Sequence, residues 1–187
     1  MNYTKRVKEL NQTFKEILDK CPELTFIGNP ILRQRTDDVI LEEGIKIASK
    51  LKKTLETYRD ITGFGRGLAA PQIGESKSVF VTYVGEKFNT YINPRIIGNS
   101  SKLNYYRENC LSCGFVSVDV RRPISIIIEY TNEEGKLQKE NLDSFSARLI
   151  QHEYDHLIGI VNVDKAEQNS IDFMINDPLK EILRDDK

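Results

Sequence analysis

The sequence predicts an α+β fold: mostly antiparallel strands packed around one central helix, with an additional helix at the N-terminus. Three observations carry this expectation. Apolar residues recur at helical spacing near the start, again between about Glu42 and Tyr58, and again up to Leu157. Short β-branched and aromatic runs joined by Gly-containing turns fill the stretch between the last two of these segments. The third helical segment also holds both histidines of the chain, so the architecture and the chemistry meet on one element.

Taken in order, residues 4–20 place Val7, Leu10, Phe14, Ile17 and Leu18 at helical spacing. Cys21-Pro22 ends that helix, because the residue before proline is pushed out of helical conformation. A loop through Gly28-Asn29-Pro30 leads to the second helix, whose buried stripe is Ile47, Ala48, Leu51, Leu55 and Tyr58. Gly63, Gly65 and Gly67 then interrupt regular structure. Ser78–Val84 and Phe88–Ile92 flank Gly85-Glu86-Lys87 as one hairpin; Ile124–Tyr130 and Lys136–Leu142 flank Asn132-Glu133-Glu134-Gly135 as another. Asp143 or Ser144 is placed to cap a helix that runs through Leu157 and is closed by Gly159. On it Ala147, Ile150, Tyr154 and Leu157 form one side, and Phe145, Leu149, His152 and His156 another. Such a helix packs on one side and lines a pocket on the other. The expected organisation is an N-terminal helical extension over 1–25 and a single metallohydrolase domain over 26–187, with no internal repeat.

Composition excludes several classes. A chain of 187 residues suits one domain with a sizeable core. A formal net charge of −1 and a pI near 6.2 leave no basic footprint for stable nucleic-acid binding. No apolar run approaches the roughly 20 residues of a membrane helix. Met1-Asn2-Tyr3-Thr4-Lys5-Arg6 is not followed by an apolar stretch, and Glu9, Glu16 and Asp19 argue against a transit peptide. Three cysteines, Cys21, Cys110 and Cys113, are too few and odd in number for a disulfide framework, so a reducing intracellular compartment is expected.

His152-Glu153-Tyr154-Asp155-His156 carries the chemistry. Imidazoles four residues apart leave a helix on the same face and can share one metal ion, with Glu153 in reach of a water on it. Such a catalytic site needs a third protein ligand. The longer motif His-Glu-x-x-His-x-x-Gly-x-x-His would place it at position 162, where Asn162 is a poor ligand for a divalent transition metal. Glu167 is a downstream carboxylate that nothing around it marks out. Cys110, within Glu108-Asn109-Cys110-Leu111-Ser112-Cys113, offers a thiolate, which a metal or nearby cation stabilises. Its spacing from Cys113 also admits a redox pair, without the usual βαβ pattern. A structural Cys2His2 site is the other reading, though its halves normally lie about 12 residues apart. A catalytic Cys-His-His site is the preferred reading among these.

Three segments read together narrow the field. Gly65-Arg66-Gly67-Leu68-Ala69-Ala70-Pro71-Gln72-Ile73-Gly74, Glu108–Ser112 and Gln151–His156 resemble, in order, the GxGLAAxQxG, EGCLS and QHExDH motifs of the peptide deformylases. Gly28–Arg33 and Val120-Arg121-Arg122-Pro123 resemble further stretches of that family, so the likeness covers about residues 26–165. The resemblance implies a metal-dependent hydrolase that removes the formyl group from N-formylmethionine at the start of newly made polypeptides. It implies Cys110, His152 and His156 as ligands of one divalent metal, Fe(II) as the physiological ion, with Zn(II), Ni(II) or Co(II) able to replace it. Attack would come from metal-bound water or hydroxide, with Glu153 as general acid/base. Gln72 and the Leu111 N–H would hold the formyl oxygen, and Gly67, Glu108 and Arg66 would face the peptide. The implied partners are formylmethionyl nascent chains, met through transient ribosome association, in the cytoplasm or an organelle, with no membrane binding.

Four departures from the family pattern bear on specificity. Asn109 replaces a glycine, and its tolerance of left-handed backbone would limit the damage. Cys113-Gly114 replaces Ile-Pro, and Arg66 replaces an aliphatic residue near the methionine pocket. Ser117 stands where an arginine often steadies the peptide, a role that would pass to Arg121 or Arg122. These departures keep two other readings open: a deformylase-like protein with altered preference, and a metal-binding module without catalysis. An HExxH metallopeptidase is the third.

Overall fold

The structure, a computed structural model, describes residues 3–173; the outer ends of both expected units, 1–2 and 174–187, lie outside the described residues. Helix α1 (Tyr3–Lys20) buries Leu10 and Ile17 and packs against α2 (Leu41–Thr62). Leu18, expected in the same stripe, is 45% exposed. It lies about 100° around the helix from Ile17 and so falls off the seam. Helix α2 continues past Tyr58 and stops where Gly63 adopts a left-handed φ of 76°, its N–H closing on the Arg59 carbonyl. Leu51 and Leu55 on its inner face are fully buried, each contributing about 1.5–3 kcal/mol.

The strands follow as β1 (Gly67–Ala69), β2 (Val79–Val84), β3 (Lys87–Asn99), β4 (Leu103–Asn109), β5 (Val116–Pro123), β6 (Ser125–Thr131) and β7 (Leu137–Asp143). Helix α3 (Ser144–Leu157) and the short β8 (Asp172–Phe173) complete the chain. Five strands form one antiparallel sheet in the order β1-β2-β3-β6-β7, and β4-β5-β8 form a second. Gly85 and Glu86 turn the first hairpin with φ of 58° and 61°, the sense of turn that matches strand twist. Strand β3 outruns its expected end at Ile92. It passes through Pro94, which has no N–H to give, by a register shift between Ile92 and Arg95.

Alternation along β2 divides the core. Val79 and Val81 pack with Ile47, Leu51 and Leu55 of α2, while Phe80 faces the other side with Tyr91, Ile128 and α3 residues Ala147, Ile150 and Leu157. Helix α3 therefore buries its apolar side on the large sheet and turns its histidine side toward the second sheet. Asp143 takes the N-cap position, but its side chain makes no capping bond. The helix start is pinned instead by Ser144 N–H on the Ile124 carbonyl at 3.0 Å. Among the described residues no helix is long and apolar enough to cross a membrane.

Candidate metal centre

His152 and His156, four positions apart on α3, converge with Cys110, which directly follows β4. One ligand atom from each of Cys110, His152 and His156 lies within 4.8 Å of the others, and Cys110 Sγ sits 3.3 Å from His156 Nε2. Cys110 is carried there by the short turn Leu111–Cys113, in a small apolar cluster of Leu32, Cys110, Cys113 and Val161. The adjoining Cys113 thiol and burial together raise the Cys110 thiol above its ordinary range, so a thiolate there calls for a cation. Burial holds His156 well below its usual range, leaving it neutral with a lone pair to give. Burial also pushes the Glu153 carboxyl up to about 7, against the opposing charge of His152. Glu153 Oε2 is buried here with no hydrogen-bond partner among the described residues; His156 Nδ1, on the far side of its ring from Cys110, is another such atom. One sulfur and two imidazole nitrogens, with the unpartnered Glu153 Oε2 beside them, fit a divalent transition metal.

Glu108, expected to face the peptide, lies behind the histidines. It is 5% exposed, and both of its oxygens are taken. Oε2 accepts from His152 Nδ1 at 2.9 Å and from Arg122 Nη2 at 2.9 Å; Oε1 accepts from Arg122 Nε and Arg148 Nη1, each at 2.7 Å. Burial alone would raise the Glu108 carboxyl, but the hydrogen bonds from Arg122 and His152 hold it far below the ordinary carboxylate range. In return Glu108 outweighs burial and raises His152. A carboxylate behind a ligand histidine fixes its tautomer and its direction. Arg122 also reaches Asp155 Oδ2 at 2.6 Å, and Lys165 closes the chain on Asp155 Oδ1 at 2.6 Å. Arg148 is braced by Asn104 Oδ1 at 2.6 Å and the Val120 carbonyl at 3.0 Å.

The remaining candidate residues surround the ligands. Gln72, in the turn Ala70–Ile73, accepts from Ala69 N–H at 2.8 Å. That bond turns its Nε2 toward Ser112 Oγ at 3.1 Å and Cys110 Sγ at 3.6 Å. Leu111 opens the next turn, directly after Cys110. Gly67 lies on the edge strand against the catalytic candidate: a Cβ there would stand 2.2 Å from Glu153 Oε1. Arg66 is exposed, its guanidinium 4.9 Å above the Phe145 ring.

Several expectations about the neighbours are corrected. Asn109 sits in the β4 ladder opposite Ser117 and has no left-handed φ, so no tolerance for one is needed. Arg122 is buried in the ion network and has no free edge for a peptide, whereas the exposed Arg121 lies beside Glu167 and Tyr105; Ser117 is buried. Asn162, at the third-ligand position of the longer motif, is a brace: its Nδ2 donates to the Glu108 carbonyl at 3.2 Å and its Oδ1 accepts from Cys113 Sγ at 3.1 Å. Sequence reading gave no role to Asp155, Arg148, Asn104, Lys165 or Ser112. Only Asp155 and Ser112 carried a signal, as members of the quoted motifs.

This α+β fold, with a Cys-His-His group built on an HExxH helix, presents a candidate metal site of the kind hydrolases use. The model of the polypeptide deformylase family matches residues 22–171. A peptide deformylase of Pseudothermotoga lettingae is 38% identical over 162 residues, covering 87% of this chain and 92% of that protein. The crystal structure of a peptide deformylase from Synechococcus elongatus in complex with actinonin superposes with a TM-score of 0.69 at 31% identity, covering 84% of each chain. The Met-Ala-Ser-bound class I type b peptide deformylase from Acinetobacter baumannii gives 0.67 at 26% identity, covering 76% of this chain and 96% of that one. The chain belongs to the polypeptide deformylase family. It is therefore a hydrolase, with the peptide deformylase activity of that family.

Proposed function

We propose that the protein removes the formyl group from N-formylmethionine at the N-terminus of nascent polypeptides, with one divalent metal held by Cys110, His152 and His156. The observation that carries this reading is the convergence of those three donors beside Glu153, whose buried Oε2 has no hydrogen-bond partner among the described residues. When bound, such a metal supplies Lewis acidity that makes water a nucleophile near neutral pH. Glu153, adjacent to the ligands rather than one of them, takes the proton of the attacking water and returns it to the leaving amine. Gln72, its amide held by Ala69 and Ser112, and the N–H of Leu111 are donors fixed beforehand where the oxyanion develops. Glu108 keeps His152 in one tautomer and one direction. The edge of β1 at Gly67 pairs with the backbone of the substrate as an added strand. A relative of the same fold holds Met-Ala-Ser, which fits a methionine-led peptide as the substrate here. The donor set accepts Fe(II), Zn(II), Ni(II) or Co(II), with Fe(II) the working ion in a reducing cytoplasm.

Formate release from formyl-Met-Ala-Ser by freshly prepared, anaerobic, metal-loaded protein tests the reading. Release with conventional turnover is expected. Absence of formate would overturn it, and cleavage of internal bonds in casein instead would point to a metallopeptidase.

A further inference from the structure

We infer that Arg66 selects substrates carrying an acidic side chain two residues after formylmethionine. This specificity rests on the deformylase reading above and adds a preference to it. Strand β1 is the edge of its sheet, and Gly67 brings that edge against Glu153. From Gly67 the strand leads one way into Leu68, Ala69 and Ala70, all fully buried, and the other way to Arg66, Gly65 and the exposed Phe64. A substrate still joined to a polypeptide must leave toward solvent. It therefore passes over Arg66.

Arg66 is fixed where that passage begins. Its carbonyl accepts from Tyr83 N–H at 2.7 Å, which holds its backbone to β2. Its guanidinium spans from the sheet edge to α3 and rests over Phe145. Phe145 and Leu149 lie on the α3 side that also carries His152, and they give an apolar wall for the methionine side chain. In an added strand every second side chain shares a side, so the third residue of the substrate points to the α3 side with the methionine. That is the side on which the Arg66 guanidinium lies.

The charge of Arg66 is also uncompensated. Arg122 and Arg148 are bonded to Glu108, Arg121 lies beside Glu167, and Arg59 donates to the Gly65 carbonyl and stacks on Tyr83. Among the described residues, no carboxylate pairs with Arg66, and its contact is an aromatic face. An arginine over a ring keeps its outer N–H groups for a carboxylate.

An exposed opposite-charge pair is worth up to about fivefold in an equilibrium, and a like-charge pair costs a similar factor. The test is kcat/KM for formate release from the amides of formyl-Met-Ala-Asp, formyl-Met-Ala-Ala and formyl-Met-Ala-Lys; amidation removes the competing terminal carboxylate. The wild type should rank them Asp over Ala over Lys, with a total spread of roughly tenfold at low salt that contracts at 0.5 M NaCl. Arg66→Glu should reverse the order, and Arg66→Gln should flatten it. Equal rates on all three peptides, or an Asp preference that survives Arg66→Glu, would overturn the assignment while leaving deformylation intact. No formate from any peptide would instead strike the deformylase reading on which it rests.

Discussion

The Glu108 carboxylate accepts from His152 Nδ1 at 2.9 Å, which leaves Nε2 as the ring nitrogen for the candidate site shared with Cys110 and His156. The same carboxylate carries two guanidinium groups, from Arg122 and Arg148, so the direction of one ligand is set by a buried ionic network. Replacing Glu108 with Gln keeps the shape and removes the charge that fixes the tautomer. Metal affinity, read by competition with a chelator, should fall about 10- to 100-fold. Unchanged affinity would mean that the imidazole is held by packing alone.

Glu153→Gln separates binding from turnover. The side chain sits between the two ligand histidines in sequence but is outside the ligand group. Metal content by elemental analysis should stay near one per chain, while kcat falls by about 10²–10⁴, the usual worth of a positioned acid/base. Loss of metal with loss of activity would remove the role assigned to it.

Gly67 has no room for a side chain. A Cβ would meet Glu153 Oε1 at 2.2 Å, so Gly67→Ala must displace the carboxylate or bend β1 away. A displacement of about 1 Å in such a group can cost about 10²-fold in rate. The effect should appear in formate release with metal content retained. It should shrink strongly when measured in Glu153→Gln, because both changes act on one group. Full additivity in that double variant would show that Gly67 acts elsewhere.

The helices were legible because each repeats its apolar residues on one face, and α3 separates Ala147, Ile150 and Leu157 from His152 and His156 by that period alone. Strands β4 and β5 were not predicted. Their residues include Arg107, Glu108, Asp119 and Arg122, whose charges are compensated across space: Arg107 stands opposite Asp119 in the ladder and bonds to it at 2.8 Å. Strand β4 breaks the apolar-polar alternation that marks a half-buried sheet, whereas Val116-Ser117-Val118-Asp119-Val120 of β5 keeps it and was passed over. The candidate ligands Cys110, His152 and His156 could be named from two short motifs, since a helical turn joins one pair and the third is a strong donor. The bonding partners of Glu108 were hidden for the opposite reason. A motif shows what stands beside a residue in the chain, whereas its partners Arg122 and Arg148 come from 14 and 40 positions away.

Helix α1 braces the loop that carries the cysteine ligand. Phe14 meets Phe26 edge-on at 5.3 Å and Phe115 at 5.7 Å between ring centroids, and a Cβ at Gly114 would lie 3.9 Å from its ring. Phe115 follows Cys113 and Gly114 directly, and it also meets Phe173 of β8 at 6.4 Å. The N-terminal helix thus packs over the departure from the family pattern at Gly114. Removing a fully buried Phe costs about 3–5 kcal/mol, and Phe14 is only half-buried, so Phe14→Ala should cost about 2 kcal/mol. For a chain of this size that is a Tm lower by roughly 4–8 °C, read by thermal melting. Phe14→Leu should recover part of the loss, since an apolar side chain still fills the space. A Tm that does not move would show that α1 adds no stability to this loop.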